Sequence, residues 1–569
     1  MHKTTVTDNC GTHLSDSGKT NHLLNFHKRS FRYFLVVLPF ALILLISTSY
    51  QQNFNESKYL EQEYYTPEVI DSLNNFISAL HENIVVKDTE RILNRDLLQS
   101  FYGKNGFRPA WIHFGGLTER ASHLVYMIEH ARDYGLEPEN YHMASIKKLQ
   151  LESEVRSHEK SYLDFNLEVL LTDAAMRMMI NLHAGYIPLD SALFASSWVG
   201  TLPDVLFNGI ATGKVIENIT SVEPVFIEYV RLREANEKFI RTQSITDREA
   251  RISYPTRDSV ALMSEIAHAL TDIGFLKNSG DVIGALKQFQ LYHGLTPDGK
   301  PGANTIDALR KSTLYKYRML ALNLDRLRKK HYSDSALLYV NIPAFRLKIL
   351  EGNLVKDTFR VIVGNPASPT PILSGRMQRI IANPMWYVPR SITMNEILPK
   401  IKSDSNYLAR NNFRLLDKNN NLVNAQDINL SQISDKDFDY TVRQNRGSDN
   451  SLGQVKFIFS NPYAVYLHDT PGKALFSKDL RAFSHGCVRV QQPERLANYI
   501  LREINSDTTD FAQLMQKGQH REFNISEPLS IHITYITCEA DDSGSVFFYK
   551  DIYGIDKKEL DDLSTYMGI

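Results

Sequence analysis

The apolar period changes once along this chain, and that change limits the fold more than any other feature. From about Glu56 to Thr246 apolar residues recur at three and four spacing. Leu124, Met127, Ile128 and Ala131 predict one amphipathic helix, and Leu170, Leu171, Ala174, Met178 and Leu182 predict another within Leu167 to Leu182. Gly135-Leu136-Glu137-Pro138 separates the two with a glycine stop followed by proline. From Ala336 the pattern becomes strand-like: Leu337 to Ile342, Phe345 to Leu350 and Leu354 to Gly364 are rich in Val, Ile, Leu, Tyr and Phe. Pro343-Ala344 and Glu351-Gly352-Asn353 punctuate them as hairpin turns. Further short strands are expected at 379–381, 455–459, 464–467, 531–537 and 546–550. With 569 residues, one core is too small for the chain. The fold class is therefore multidomain α+β, with a helical part first and a mostly β part last.

Between these parts, residues 256–313 read as a compact helical unit. Val260 to Leu270 and Val282 to Tyr292 are helical stretches, a Gly/Pro/Asp turn occupies 294–299, and Thr305 to Leu309 follows. Residues 314–332 read as one more helix, with Leu314, Tyr317, Ala321, Leu324 and Leu327 on one face. It is expected to return to the first helical domain. Inside the β part, residues of about 390–453 are polar, charged and Asn-rich. A polar stretch of that length reads as a surface insertion or a lid.

The formal net charge of −1 gives no bulk basic surface for nucleic acid. Three cysteines, Cys10, Cys487 and Cys538, cannot build a disulfide framework. Tyr33 to Ile46 carries no charge and Ser47-Thr48-Ser49-Tyr50 extends it. That gives roughly eighteen residues able to span a bilayer core. Lys28, Arg29 and Arg32 precede it, so residues 1–32 are expected as a cytoplasmic tail and 33–50 as a single transmembrane signal anchor. A cleaved secretory signal is the alternative, but no small-x-small site follows. Either way the chain after about Gln51 is expected outside the cytoplasm.

The chemistry concentrates at Ser484-His485-Gly486-Cys487-Val488-Arg489, preceded by Tyr466-Leu467-His468-Asp469. A lone cysteine is more often packing than catalysis. Here two histidines accompany it, and an imidazole can take the thiol proton and return it to a leaving group. Cys487 is the candidate nucleophile and His468 the candidate base. His485, in the glycine turn, suits an orienting role. The N–H groups of Gly486 and Cys487 are candidate oxyanion donors. Ser484 is expected to hold the turn. Arg489 either orders the Cys loop or binds an acidic group of the substrate. Cys538 reads as a core residue. A papain-like protease would place its cysteine before its histidine, the reverse of the order here. A zinc site from His468, His485 and Cys487 matches no metal spacing well, so no metal and no cofactor are expected.

The pattern of His468, a gap of fifteen residues, then Ser484-His485-Gly486-Cys487 resembles the signature of the YkuD-type L,D-transpeptidases. Asn341-Ile342-Pro343, Val363-Gly364, Pro369-Thr370-Pro371, Asn383-Pro384 and Trp386 extend the likeness and imply the YkuD β-sandwich over 335–556, with a lid at about 390–453. Phe107 to Trp111, Gly135 to Pro138 with Tyr141, Leu171 to Ala174 and Leu182 to Gly185 resemble the helical scaffold domain of the large Gram-negative members, here 51–250. Phe289-Gln290, His293-Gly294-Leu295, Pro297-Asp298-Gly299, Gly302 and Thr305 resemble the three-helix peptidoglycan-binding domain. Residues 557–569 remain as a C-terminal tail.

The resemblance implies that the first histidine is oriented by a main-chain carbonyl, with Asp469 contributing its backbone. It implies a thioester on Cys487 from a peptidoglycan tetrapeptide stem, release of D-alanine, and a 3→3 cross-link to a second stem. A lipoprotein lysine, a D-amino acid or water are alternative acceptors, and a non-catalytic wall-binding scaffold is the alternative in another class. The resemblance also implies an inner-membrane protein with its catalytic part in the periplasm, partnered by a glycosyltransferase and a carboxypeptidase and acylated by carbapenems.

Overall fold

The structure, a computed structural model, describes residues 65–567 apart from 81–84, 87–89, 93–94, 114–115, 156–159, 187–196, 278–279, 331, 333, 431 and 528. Thr66–Ile210 and Lys214–Ile569 make one compact unit. The expected tail at 1–32 and anchor at 33–50 lie outside the described residues. Among the described residues no helix is long and apolar enough to cross a membrane.

The first helical layer packs around α1 (Lys160–Ala184), the long helix expected from the 167–182 pattern. Its buried Glu168 accepts hydrogen bonds from the backbone of Ala110 (2.5 Å), Trp111 (2.9 Å) and Ile112 (3.2 Å), and from the Tyr102 hydroxyl (2.9 Å). The indole of Trp111 donates to Thr172 at 2.8 Å. The aromatic segment is thus tied to one carboxyl group, which burial pushes up to about 7 against these hydrogen bonds. The helix α2 (Ile227–Thr242) completes this layer.

Three helices, α3 (Ser259–Asp272), α4 (Val282–Tyr292) and α5 (Ala303–Arg310), surround Ile266, Leu270, Leu286, Phe289, Ile306 and Leu309. The turn between the last two is organised by Gln290, whose amide donates to Asp298 Oδ1 (3.0 Å) and the Lys300 carbonyl (2.9 Å) and accepts from Gly299 N–H (2.8 Å).

The next helix, α6 (Thr313–Arg328), does return to the first layer. Gly135 has φ +66°, and a Cβ there would come within 2.9 Å of Leu324, so glycine lets α6 approach. Arg328, fully buried, donates to the Tyr134 carbonyl (2.6 Å) and Tyr229 hydroxyl (3.0 Å). The other side of α6 joins a core with Leu337, Tyr339, Ile536 and Cys538 of the β part.

The β part contains β1 (Ala336–Asn341), β2 (Arg346–Glu351), β3 (Leu354–Gly364), β4 (Leu373–Ala382), β5 (Trp386–Tyr387), β6 (Phe413–Leu416), β7 (Leu422–Val423), β8 (Thr441–Gln444), β9 (Val455–Phe459), β10 (Leu467–His468), β11 (Ala482–Ser484), β12 (Val488–Val490), β13 (Arg521–Asn524), β14 (Ser530–Thr534), β15 (Cys538–Ala540) and β16 (Val546–Phe548). One sheet runs β9-β10-β12-β3-β2-β1-β14-β4-β13, with β11 on β3. A further pairing of β9 with β4 closes its path. The expected sandwich is therefore corrected: the strands close on themselves around Val340, Leu347, Val361, Ile380, Phe457, Leu467 and Val488. Closure satisfies the edges that an open sheet would expose.

The insertion at about 390–453, expected as a surface insertion or a lid, has a core of its own: β7-β6-β8-β5 form a second sheet over Leu398, Leu408, Phe413, Leu415, Phe438 and Val442. Its apolar residues are diluted by surface Asn and Asp, which hid the period. One further expectation is corrected: within the expected tail at 557–569 the described residues are helical, Ile555–Met567 forming α7. Arg326 of α6 pairs with Asp556 (2.8 Å) and Glu559 (2.7 Å), and Leu563 is buried. The partner that holds this segment, Arg326, lies far away in sequence.

Candidate active site

Side chains on neighbouring strands point to the same face when their α-carbons are in register. Lys456 of β9 is opposite His468 of β10, and His468 is opposite Arg489 of β12. These three therefore form a row across three strands. Tyr466 and Cys487 each lie two residues before a member of that row. All five line one cavity of about 650 Å³.

His468 is buried, and its Nδ1–H donates to the Asp469 carbonyl at 2.5 Å. A neutral ring with its proton on Nδ1 presents a lone pair on Nε2. Burial first, then the positive Arg489, push the imidazole down to about 3, against the pull of the Asp469 carbonyl. The Asp469 carboxylate faces elsewhere: it accepts from Gln454 N–H at 2.9 Å and pairs with Lys473. A Cβ on Gly453, at φ +60°, would collide with that carboxylate at 2.3 Å. Asp469 thus orients the histidine through its backbone and the approach of 453–455 through its side chain.

Cys487 follows a turn in which Gly486 has φ +108°, a conformation that favours glycine. Burial raises the thiol above its ordinary value; the Tyr466 backbone, Lys456, the Tyr466 hydroxyl and Arg489 oppose that rise. Burial thus disfavours the charged form of both groups that line the cavity, the thiolate and the imidazolium.

Ser484 is buried; its hydroxyl donates to the Cys487 carbonyl (2.5 Å) and accepts from Gly486 N–H (3.2 Å). The expectation that Gly486 supplies an oxyanion donor is corrected by this bond, because its N–H is already committed. Among the described residues no hydrogen bond engages the Cys487 N–H, which leaves it as the donor in the turn. His485 does not meet the thiol's base position: its Nε2 pairs with Glu396 at 2.6 Å. Arg489 lines the cavity, and its Nε is buried without a hydrogen-bond partner among the described residues.

Residues 335–510 match the L,D-transpeptidase catalytic domain known as YkuD. The chain carries an L,D-transpeptidase catalytic domain. Residues 96–235 match a "Scaffold domain" and 269–309 a "Putative peptidoglycan binding domain". A Haemophilus influenzae protein named "Putative L,D-transpeptidase" is 34% identical over 240 residues, which are 42% of this chain and 48% of that protein. The match thus spans about half the length of this curated relative. Solved L,D-transpeptidases from Mycobacterium tuberculosis (14% identity, 36% of this chain, 63% of that chain, TM-score 0.15) and Stackebrandtia nassauensis (10%, 51%, 96%, TM-score 0.19) are similar to it. Likenesses this weak say nothing further of the fold.

Within the L,D-transpeptidase domain, several residues at the site carry no motif signal of their own. Tyr466 lines the cavity with Cys487 and with Trp386 of β5, and its ring stands 5.6 Å from that of His468. Its alternation with His468 was the available clue, since residues two apart share a strand face. Lys456 stacks its ammonium over the Tyr466 ring, 3.9 Å from the centroid. Thr370 is a clamp on the cysteine turn: its Oγ1 donates to the Gly486 carbonyl (2.8 Å) and accepts from Gly364 N–H (2.8 Å). The Tyr553 hydroxyl in turn accepts from Thr370 N–H (3.0 Å) and donates to the Gly364 carbonyl (2.7 Å). Trp386, Tyr387, Ile392, Asn395 and Glu396 of the insertion line the cavity opposite the strands.

Proposed function

We propose that the protein is a cysteine-dependent L,D-transpeptidase that forms 3→3 cross-links between peptidoglycan stems. The observation that carries this reading is the shared face of Cys487 and His468, with the imidazole tied through Nδ1 to the Asp469 carbonyl. His468 Nε2 takes the thiol proton as Sγ attacks the carbonyl of the third stem residue. The developing oxyanion is held by the Cys487 N–H, a preorganised donor of the kind worth about 3 kcal/mol. The tetrahedral adduct collapses with cleavage of the C–N bond, His468 returns the proton to the leaving amine, and D-alanine departs. The side-chain amine of a second stem's diamino acid then attacks the thioester, its proton passes to His468, and the thiol is restored.

Water competes with that amine, so the folded insertion over the cavity acts as a lid that limits hydrolysis. The helical layer and the peptidoglycan-binding module would present the polymer. An uncharged 33–50 preceded by basic residues supports an inner-membrane anchor with the catalytic domain in the periplasm. There a glycosyltransferase and a carboxypeptidase would supply strands and tetrapeptides, and carbapenems would acylate Cys487.

The test is intact mass after incubation with disaccharide-tetrapeptide. The native protein should gain a thioester adduct lacking D-alanine and yield a 3→3 dimer, while Cys487→Ala should do neither. Tripeptide without dimer would make the protein a hydrolase. A folded native sample with no adduct would leave a wall-binding scaffold instead.

A further inference from the structure

The row formed by Lys456, His468 and Arg489 places a cation on each side of the neutral histidine. Both cations line the cavity that holds Cys487. Among the described residues neither forms an ion pair. The Lys456 ammonium sits on the Tyr466 ring face at 3.9 Å, and among the described residues Arg489 Nε is buried without a hydrogen-bond partner. Burial lowers both from their ordinary values. Two desolvated cations without a counter-ion are unfavourable, and that penalty is relieved when an anion enters between them. Burial disfavours the thiolate, which makes Cys487 a poor source of that anion.

The reaction brings an anion to this place. In a donor tetrapeptide only a nitrogen and an α-carbon separate the attacked carbonyl carbon from the terminal carboxylate. A group that directs the carbonyl at Sγ therefore has to accommodate that carboxylate nearby. Its charge suits Arg489 as a planar donor and Lys456 as a point charge.

We propose that Lys456 and Arg489 form a carboxylate-binding subsite for the donor stem, and that Lys456 makes the site select stems ending in free D-alanine. The inference rests on the transpeptidase reading above. Lys456 is a specificity residue on this account, and it touches the part of the donor that departs. The diamino acid's own carboxylate is the second source of the same chemistry.

The test compares three donors with the full-length protein: disaccharide-tetrapeptide, the same stem amidated at D-alanine, and the stem amidated at the diamino-acid carboxylate. Native protein should acylate the first about a hundredfold more efficiently than the second, a ratio expected for a lost charge-assisted contact. Lys456→Gln should bring that ratio close to one, chiefly by slowing the free-acid donor, and Lys456→Arg should restore most of it. Because Lys456 opposes the rise of the thiol, Lys456→Gln should also move the pH midpoint of Cys487 alkylation by neutral iodoacetamide upward, an effect that slows every donor alike. Equal loss on all donors would therefore overturn the proposal and make Lys456 a support for the thiolate alone. Discrimination confined to the diamino-acid amide would overturn the assignment to D-alanine. Failure of native protein to acylate any donor would instead remove the transpeptidase reading, and this proposal with it.

Discussion

His468 is oriented by the carbonyl of its own neighbour, Asp469, and the Asp469 carboxylate is turned away to Gln454 and Lys473. A main-chain acceptor fixes the tautomer without adding a charge to a buried imidazole. Asp469→Asn should therefore slow acylation by less than about tenfold, whereas His468→Ala should cost about 10³-fold, within the range for removing a general base. Single-turnover acylation by a carbapenem or a tetrapeptide measures both. A loss for Asp469→Asn as large as that for His468→Ala would make the carboxylate a third catalytic member.

The thiol–imidazole pair has a pH signature. Burial lifts Cys487, so alkylation of its thiol should rise with a midpoint above the ordinary cysteine value of about 8.5. His468, held down to about 3, should contribute no acid limb above about pH 4. Thiolate absorbance against pH, native minus Cys487→Ala, reads the first directly. A midpoint near 6 would indicate an ion pair at rest.

His293 lies half-buried between Phe289 of the three-helix module (3.8 Å) and Phe548 of β16 (5.6 Å), with Nε2 buried, and is lowered to about 3 by desolvation and by Lys316. Unfolded histidine binds a proton near pH 6.5 and this folded one does not, so its contribution is present above that pH. It is lost progressively as pH falls from 6.5 towards 3, at about 1.4 kcal/mol per unit. Replacing His293 with Phe should flatten the acid side of the stability profile, read by denaturant unfolding at pH 6.5 and 4.5. An unchanged slope would mean the ring is solvated and charged.

Thr370 bridges Gly364 N–H and the Gly486 carbonyl at full burial. Thr370→Val keeps the shape and removes both bonds, so it should destabilise by about 1–3 kcal/mol and loosen the cysteine turn. A lowered Tm together with slower acylation is the expected pair of results. Slower acylation with an unchanged Tm would point to direct contact with substrate.

Glu396 reaches from the insertion to His485 at 2.6 Å, and both side chains are half exposed. Glu396→Ala should change stability by less than about 1 kcal/mol, as for other exposed pairs. If the pair holds the lid, the tripeptide-to-dimer ratio should rise as water gains access. An unchanged ratio would relegate the contact to the surface.

Local rules made much of this legible. The histidine at 468, the glycine at 486 and the spacing to Cys487 are properties of short segments, and they pointed to the reacting groups. Repeating apolar positions likewise indicated α1, α4 and β3. The insertion was less legible, because polar residues between Leu398, Phe413, Phe438 and Val442 mask a core assembled from four separate segments. The C-terminal helix α7 was missed for a related reason, since its anchor, Arg326, lies far away in sequence.

What the sequence alone determined is which residues can do chemistry and where the period changes, because side-chain type and local spacing are written into adjacent positions. Only the tertiary structure decided which neighbours those residues meet. Closure of β9 onto β4, the row of Lys456, His468 and Arg489, and the capture of Gly486 by Ser484 and Thr370 depend on strand register. Register is set by long-range packing of the buried face, and one residue of slip would turn the whole row away from the cavity.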